Sequence, residues 1–165
     1  MWAQYLAAMA FMSGSLGIVH GISHAMSAFY DTHHGLNCGI TMPRAWADAA
    51  AAAPSVLTEI ACCMGEPVEG LSNAKAADRA VEAMVRLLKD LETPTNFVSV
   101  EAYTKSRMGV GPYATWGGKR VKGDETDVER IVKHVVDVGP HLNSARPMTE
   151  ARVRRMVREA MSGVV

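Results

Sequence analysis

Between residues 73 and 91 the chain reads NAKAADRAVEAMVRLLKDL, and Ala77, Val81, Met84, Leu88 and Leu91 step by four and three along one face, which predicts an amphipathic helix. Residues 2 to 29 are apolar on every side and predict a long helix, interrupted or tightly packed around SGSLGIVHG, where Ser13, Gly17 and Gly21 recur every four residues. Small residues at that spacing let another backbone approach, so this run is expected to be a buried central helix surrounded by others. DTHHGLNCG then breaks the pattern with Gly35 and Gly39, and Pro43 suits the first turn of a new helix. PSVLTEIACCMG predicts a short helix started by Pro54 and stopped by Gly65. Residues 97 to 122, with Gly109, Gly111, Pro112, Gly117 and Gly118, predict a loop. Thr126 and Glu129 make a capping-box pattern, so a helix is expected from near Asp127, and a last one after Thr149. About six helices and no convincing strand pair predict an all-α helical bundle, one domain over residues 1–165.

Size and composition agree with that picture. The 165 residues are 48% hydrophobic and 21% charged with zero formal net charge, an ordinary folded chain with nothing that favours nucleic acid. The arginines of ARVRRMVREAM are expected on a solvated helix face, without a functional role. No Asp, Glu, Lys or Arg precedes Asp31. The lack of a basic leading segment counts against a signal peptide, and Gln4, Ser13, Ser15, His20, Ser23 and His24 count against a spanning helix, so no membrane partner is expected. Cys38, Cys62 and Cys63 are odd in number with two adjacent, which suits neither a disulfide framework nor zinc knuckles; a reducing cytoplasm is expected. No strand-linked G-x-G-x-x-G occurs.

The candidate chemistry lies in HGISHAMSAFYDTHH, which holds His20, His24, His33 and His34 out of six histidines. On a helix His20 and His24 share a face, about 5–6 Å apart at Cβ. His34 lies past the expected helix end, and Gly35 offers the freedom to fold its imidazole back. Three converging imidazoles suit a borderline divalent ion. The plainer reading is a set of core or surface histidines that fell together. His33 and His34 cannot both point inward from an extended turn, so one of them faces solvent or supports the other. His134 reads as a surface residue, and Cys38 as a small buried apolar residue, although it could come near the site.

The stretch LGIVHGISHAMSAFYDTHHGLNCGITMPRAW resembles the iron-containing (group III) alcohol dehydrogenases. Their metal signature runs G-x-x-H-x-x-x-H, then ten residues on a second H-G, then N-x-x-x-x-x-P; Gly17, His20, His24, His34, Gly35, Asn37 and Pro43 fall in place. The paired HHG, YTKSRMGVGP and VKGDETDVERIVKHV are most similar to the nitrosodimethylaniline-dependent methanol dehydrogenases within that family. The resemblance implies that His20 and His34 bind a divalent metal (Fe, Zn or Mg) and that His24 handles substrate or proton as the catalytic residue. It implies oxidation of a small primary alcohol to the aldehyde with NAD(P). Two departures stand out. PHLNSARP puts Pro140 and Ser144-Ala145 where relatives carry Cys and the N-P of N-P-R, so the substrate pocket is expected to differ. The G-G-G-S turn of the family's nucleotide-binding domain, with the D-x-x-x-H pair that lies just beyond it there, is not in this sequence. The expectation is therefore the metal-binding half of an oxidoreductase, with no cofactor-binding residue of its own, completed by a nucleotide-binding partner chain and inactive alone; a homo-oligomer is also expected. The alternatives are a non-catalytic binding or assembly module that keeps the motif as packing, and a small hydrolase for which Asp31 is the sole candidate base.

Overall fold

The computed structural model describes residues 1–107 and 120–164, and all regular structure among them is helical. In chain order the helices are α1 (Trp2–Gly14), α2 (Ile18–Tyr30), α3 (His34–Ala50), α4 (Pro54–Cys63), α5 (Asn73–Asp90), α6 (Val100–Arg107), α7 (Glu125–Val138) and α8 (Glu150–Ser162), with a 3₁₀ turn over Pro140–Asn143 before α8. The all-α expectation holds.

α2 is the central helix. Ile22, Ala25, Met26 and Tyr30 point into a core completed by Ile40 of α3, Phe97, Val128, Ile131 and Val135 of α7, and Val153, Met156 and Val157 of α8. A smaller core joins α4 and α5 through Leu57, Ala61, Ala77 and Ala80. On α5 the buried stripe is Ala76, Ala77, Ala80 and Ala83, whereas Leu91, expected on the inner face, is 60% exposed. Alanines win the inner face because they let α4 approach closely; the larger Met84 and Leu88 are left half-buried at its edge. Gly39 serves the same end on α3, where a Cβ would lie 3.4 Å from the Leu88 side chain.

Expectations for the N-terminal run divide. α2 is buried as expected, but α1 buries no residue and leaves Trp2, Leu6, Met9 and Met12 between 53% and 78% exposed. Ser15, left-handed at φ 60°, ends α1, and the two helices meet at 101°. That bend carries α1 off the bundle. Among the described residues no single helix is long and apolar enough to cross a membrane.

Three boundaries also differ. Pro43 lies inside α3 rather than in its first turn, because the helix has already started at His34. α6 occupies part of the expected loop; the glycines from Gly109 to Gly118 lie outside the described residues. α7 begins at Glu125, capped by Asp124, whose carboxylate accepts the Asp127 N–H at 3.0 Å, so the cap is not the Thr126 pattern.

The arginines of α8 are not merely solvated. Arg152 and Arg155 both reach the buried Asp48 of α3, Arg155 at 3.0 Å, while Arg158 pairs with Glu125 of α7 at 2.7 Å and Arg154 with Glu129. The Asp48 pairs hold α8 against the helix that carries His34.

Candidate metal centre

The centre is built at the corner where α2 turns into α3. Asp31 takes the left-handed conformation at φ 53° and its N–H closes α2 on the Ser27 carbonyl at 3.1 Å. Within three residues the chain reverses into α3. Asn37, fully buried, clamps the corner: its amide donates to the Ser27 hydroxyl at 3.2 Å and to the carbonyls of Ser23 and Thr32 at 3.4 Å, and Ser27 itself donates to the Thr32 carbonyl at 3.1 Å. The Asn37 of the motif thus braces the corner.

His33 caps α3. Its Nδ1 accepts the N–H groups of Gly35 at 3.1 Å and Leu36 at 3.4 Å, satisfying two of the orphan donors at the helix start. Gly35 therefore works differently from the expectation: it lies inside the helix without a positive φ, and a Cβ there would stand 3.1 Å from the capping ring. The freedom to fold back comes from Asp31. Of the two neighbouring histidines, His34 is the one that turns to α2.

Three imidazoles come together. Ring centroids lie 5.7 Å apart for His20 and His24, 5.2 Å for His20 and His34, and 5.3 Å for His24 and His34, the last pair stacked at 25°. His20 is half-buried, while His24 and His34 are open to solvent. Cys38, one turn along α3 from His34, joins them instead of serving as a core residue: one donor atom each from His20, His34 and Cys38 lie within 4.8 Å of one another. Elsewhere, His134 is half-buried with its ring edge-on to Phe29 at 5.3 Å, rather than a plain surface residue.

The electrostatics favour the neutral forms of His20 and His34. Partial burial, then the neighbouring His34 and His24, lower the pKa of His20; for His34, exposed as a residue, partial desolvation of the ring, then His24 and His33, lower it as well. Each of these two imidazoles is thus favoured in the form with one lone-pair nitrogen, the form a metal requires. Burial raises the Cys38 thiol, opposed by its bond to Ser23. Two imidazoles and a thiol at one point are a donor set that fits a borderline divalent ion.

Beside His20 opens a cleft of about 360 Å³, walled by Gly17, Trp46, Ala49, Ser144, Ala145 and Arg146. The segment that departs from the family pattern therefore lines the space next to the histidines.

The family model for the Fe-containing alcohol dehydrogenase family, C-terminal part, matches residues 1–161. This chain belongs to that family. Among iron-type alcohol dehydrogenases it is 45% identical over 166 residues to the methanol:N,N-dimethyl-4-nitrosoaniline oxidoreductase of Amycolatopsis methanolica, covering 99% of this chain and 38% of that protein. It is 30% identical over 160 residues to the NAD-dependent methanol dehydrogenase of Bacillus methanolicus, covering 97% of this chain and 36% of that one. The alcohol dehydrogenase from Oenococcus oeni superposes with a TM-score of 0.72 at 27% identity, over 94% of this chain and 35% of that structure. The chain thus spans little more than a third of the relatives' length, and corresponds to the C-terminal helical domain of an iron-type alcohol dehydrogenase.

The sequence marks Ser23 only as a polar residue in an apolar run and gives no sign of Asp48. Ser23 lies eleven residues from its partner His34, and no local period links the two until the corner at Asp31 is known.

Proposed function

We propose that this single helical domain is the metal-holding half of an NAD(P)-dependent dehydrogenase that oxidises a small primary alcohol to the aldehyde. His20 and His34 would hold the divalent ion and His24 would carry the proton. The observation that supports this reading most is the convergence of His20, His24 and His34 from two helices on one point, with centroids 5.2–5.7 Å apart. An ion held there supplies Lewis acidity toward an alcohol or carbonyl oxygen. His24 is exposed and stacked on His34, so it can pass a proton between the site and solvent. The adjacent cleft, with more apolar than polar lining, suits a small alcohol. The nicotinamide would be held by a nucleotide-binding domain outside these helices, and the three free cysteines suit a reducing, cytoplasmic setting.

Calorimetric titration of the chain with Zn²⁺ and with Fe²⁺ under reducing conditions tests this: one ion bound per chain is expected. Absence of binding would leave the other reading, a non-catalytic binding or assembly module.

The apolar face of α1, uncharged and uncovered, favours an oligomer or a partner chain. Sedimentation velocity should show self-association that grows with concentration and falls in Leu6→Glu and Met9→Glu. A monodisperse monomer throughout would refute it.

A further inference from the structure

His34 Nε2 and Cys38 Sγ face each other at 3.6 Å. Metal bonds of about 2.0–2.1 Å to nitrogen and about 2.3 Å to sulfur, opened to the tetrahedral angle, place two such ligand atoms about 3.6 Å apart. The separation is thus that of neighbouring corners of a coordination tetrahedron. A donor nitrogen of His20 completes a triangle whose sides are all within 4.8 Å.

The hydrogen bonding aims the same atoms inward. Ser23 sits buried between the helices; its hydroxyl donates to the His34 carbonyl at 3.0 Å and lies 2.8 Å from His34 Nδ1. When Ser23 gives its one proton to that carbonyl it accepts from Nδ1–H, and this arrangement leaves the bare lone pair on Nε2, the nitrogen turned toward Cys38. The Cys38 thiol, half-buried, donates to the same Ser23 oxygen at 3.4 Å. Ser23 therefore positions both ligand atoms from behind.

We infer that Cys38 is a third protein ligand, so that this domain alone carries a His₂Cys half-cage with a position left open, selective for Zn²⁺, Co²⁺ or Fe²⁺ over Mg²⁺. The inference rests on the metal-holding reading of His20 and His34 and narrows its metal. On binding, the Cys38 S–H bond breaks, its proton passes to solvent, and the sulfur's electron pair forms the bond to the ion; no electron changes owner. A thiolate is a poor ligand for Mg²⁺, which favours oxygen donors, so sulfur in the set discriminates between metals that two imidazoles and a carboxylate would not separate as sharply.

Cobalt(II) titration of the full chain, followed by absorption and calorimetry, tests it. Expected are intense visible bands of a four-coordinate ion and a near-ultraviolet sulfur-to-cobalt charge-transfer band. That band should persist in Cys62→Ser/Cys63→Ser and vanish in both Cys38→Ser and Cys38→Ala, with affinity falling about tenfold or more. Excess Mg²⁺ should not displace the cobalt. Binding at full stoichiometry without the charge-transfer band would overturn the Cys38 assignment and leave the two-histidine reading standing. A band that survives Cys38→Ser and Cys38→Ala but is lost with Cys62 and Cys63 would overturn it as well. No binding at all would sink both.

Discussion

His20→Ala and His34→Ala each weaken Zn²⁺ binding by at least ~100-fold, whereas His33→Ala changes it less than about threefold. The asymmetry follows from where the three rings point. His20 and His34 present donor atoms to a common point within reach of Cys38, and removing either leaves two donors, too few to replace the ion's water shell. His33 spends its Nδ1 on the N–H groups of Gly35 and Leu36. Losing that cap costs about 1 kcal/mol of stability, not a ligand. Competition against a chromophoric chelator reads the affinities, and circular dichroism verifies that each variant is folded. Equal losses for all three variants would refute the assignment of His20 and His34.

Asp127→Ala destabilises the domain by about 3–5 kcal/mol, more than any surface change to the ion pairs of α8. The Asp127 carboxylate is 5% exposed and accepts three hydrogen bonds: from Tyr30 Oη at 2.7 Å, from Lys122 N–H at 2.7 Å and from Gly123 N–H at 2.9 Å. It thus ties the end of α2 to the segment entering α7. Truncation orphans all three donors at once. Tyr30→Phe removes one donor and takes from Asp127 Oδ1 its hydrogen bond, while Oδ2 keeps the N–H groups of Lys122 and Gly123, so the expected cost is smaller, about 1–3 kcal/mol. The bond also raises the Tyr30 pKa, after burial, because a phenolate beside that carboxylate would be repelled. Urea unfolding curves measure both variants. A loss below about 1 kcal/mol for Asp127→Ala would mean that the donors find water, and that the corner of α2 is held by its apolar contacts.

The site was partly legible because its first two members sit at helical spacing. His20 and His24 share a face wherever that stretch is helical, and Asn37 falls where the family motif requires it. His34 was harder to place. Gly35 and Gly39 read as breakers and Pro43 as part of a first turn, which places the start of α3 near Pro43 and leaves His34 outside it, whereas the helix begins at His34. In fact a histidine ring caps the helix, and Gly35 is there to clear that ring. With His34 put in a turn, Cys38 had no helical relation to it; once His34 heads a helix, Cys38 is four residues on and on the same face.

What the sequence determined by itself was the helical class, the amphipathic helices and the family's histidine spacing, since these depend on residue periods along a single segment. What only the tertiary structure decided was the burial of α2 but not α1, the alanine stripe as the inner face of α5, and the meeting of Ser23, His34 and Cys38. The first and last of these depend on the direction in which two corners turn the chain, at Ser15 and Asp31, and the alanine stripe on how closely α4 approaches α5. A left-handed residue redirects everything after it, while the apolar pattern of each helix stays the same whichever way it is sent.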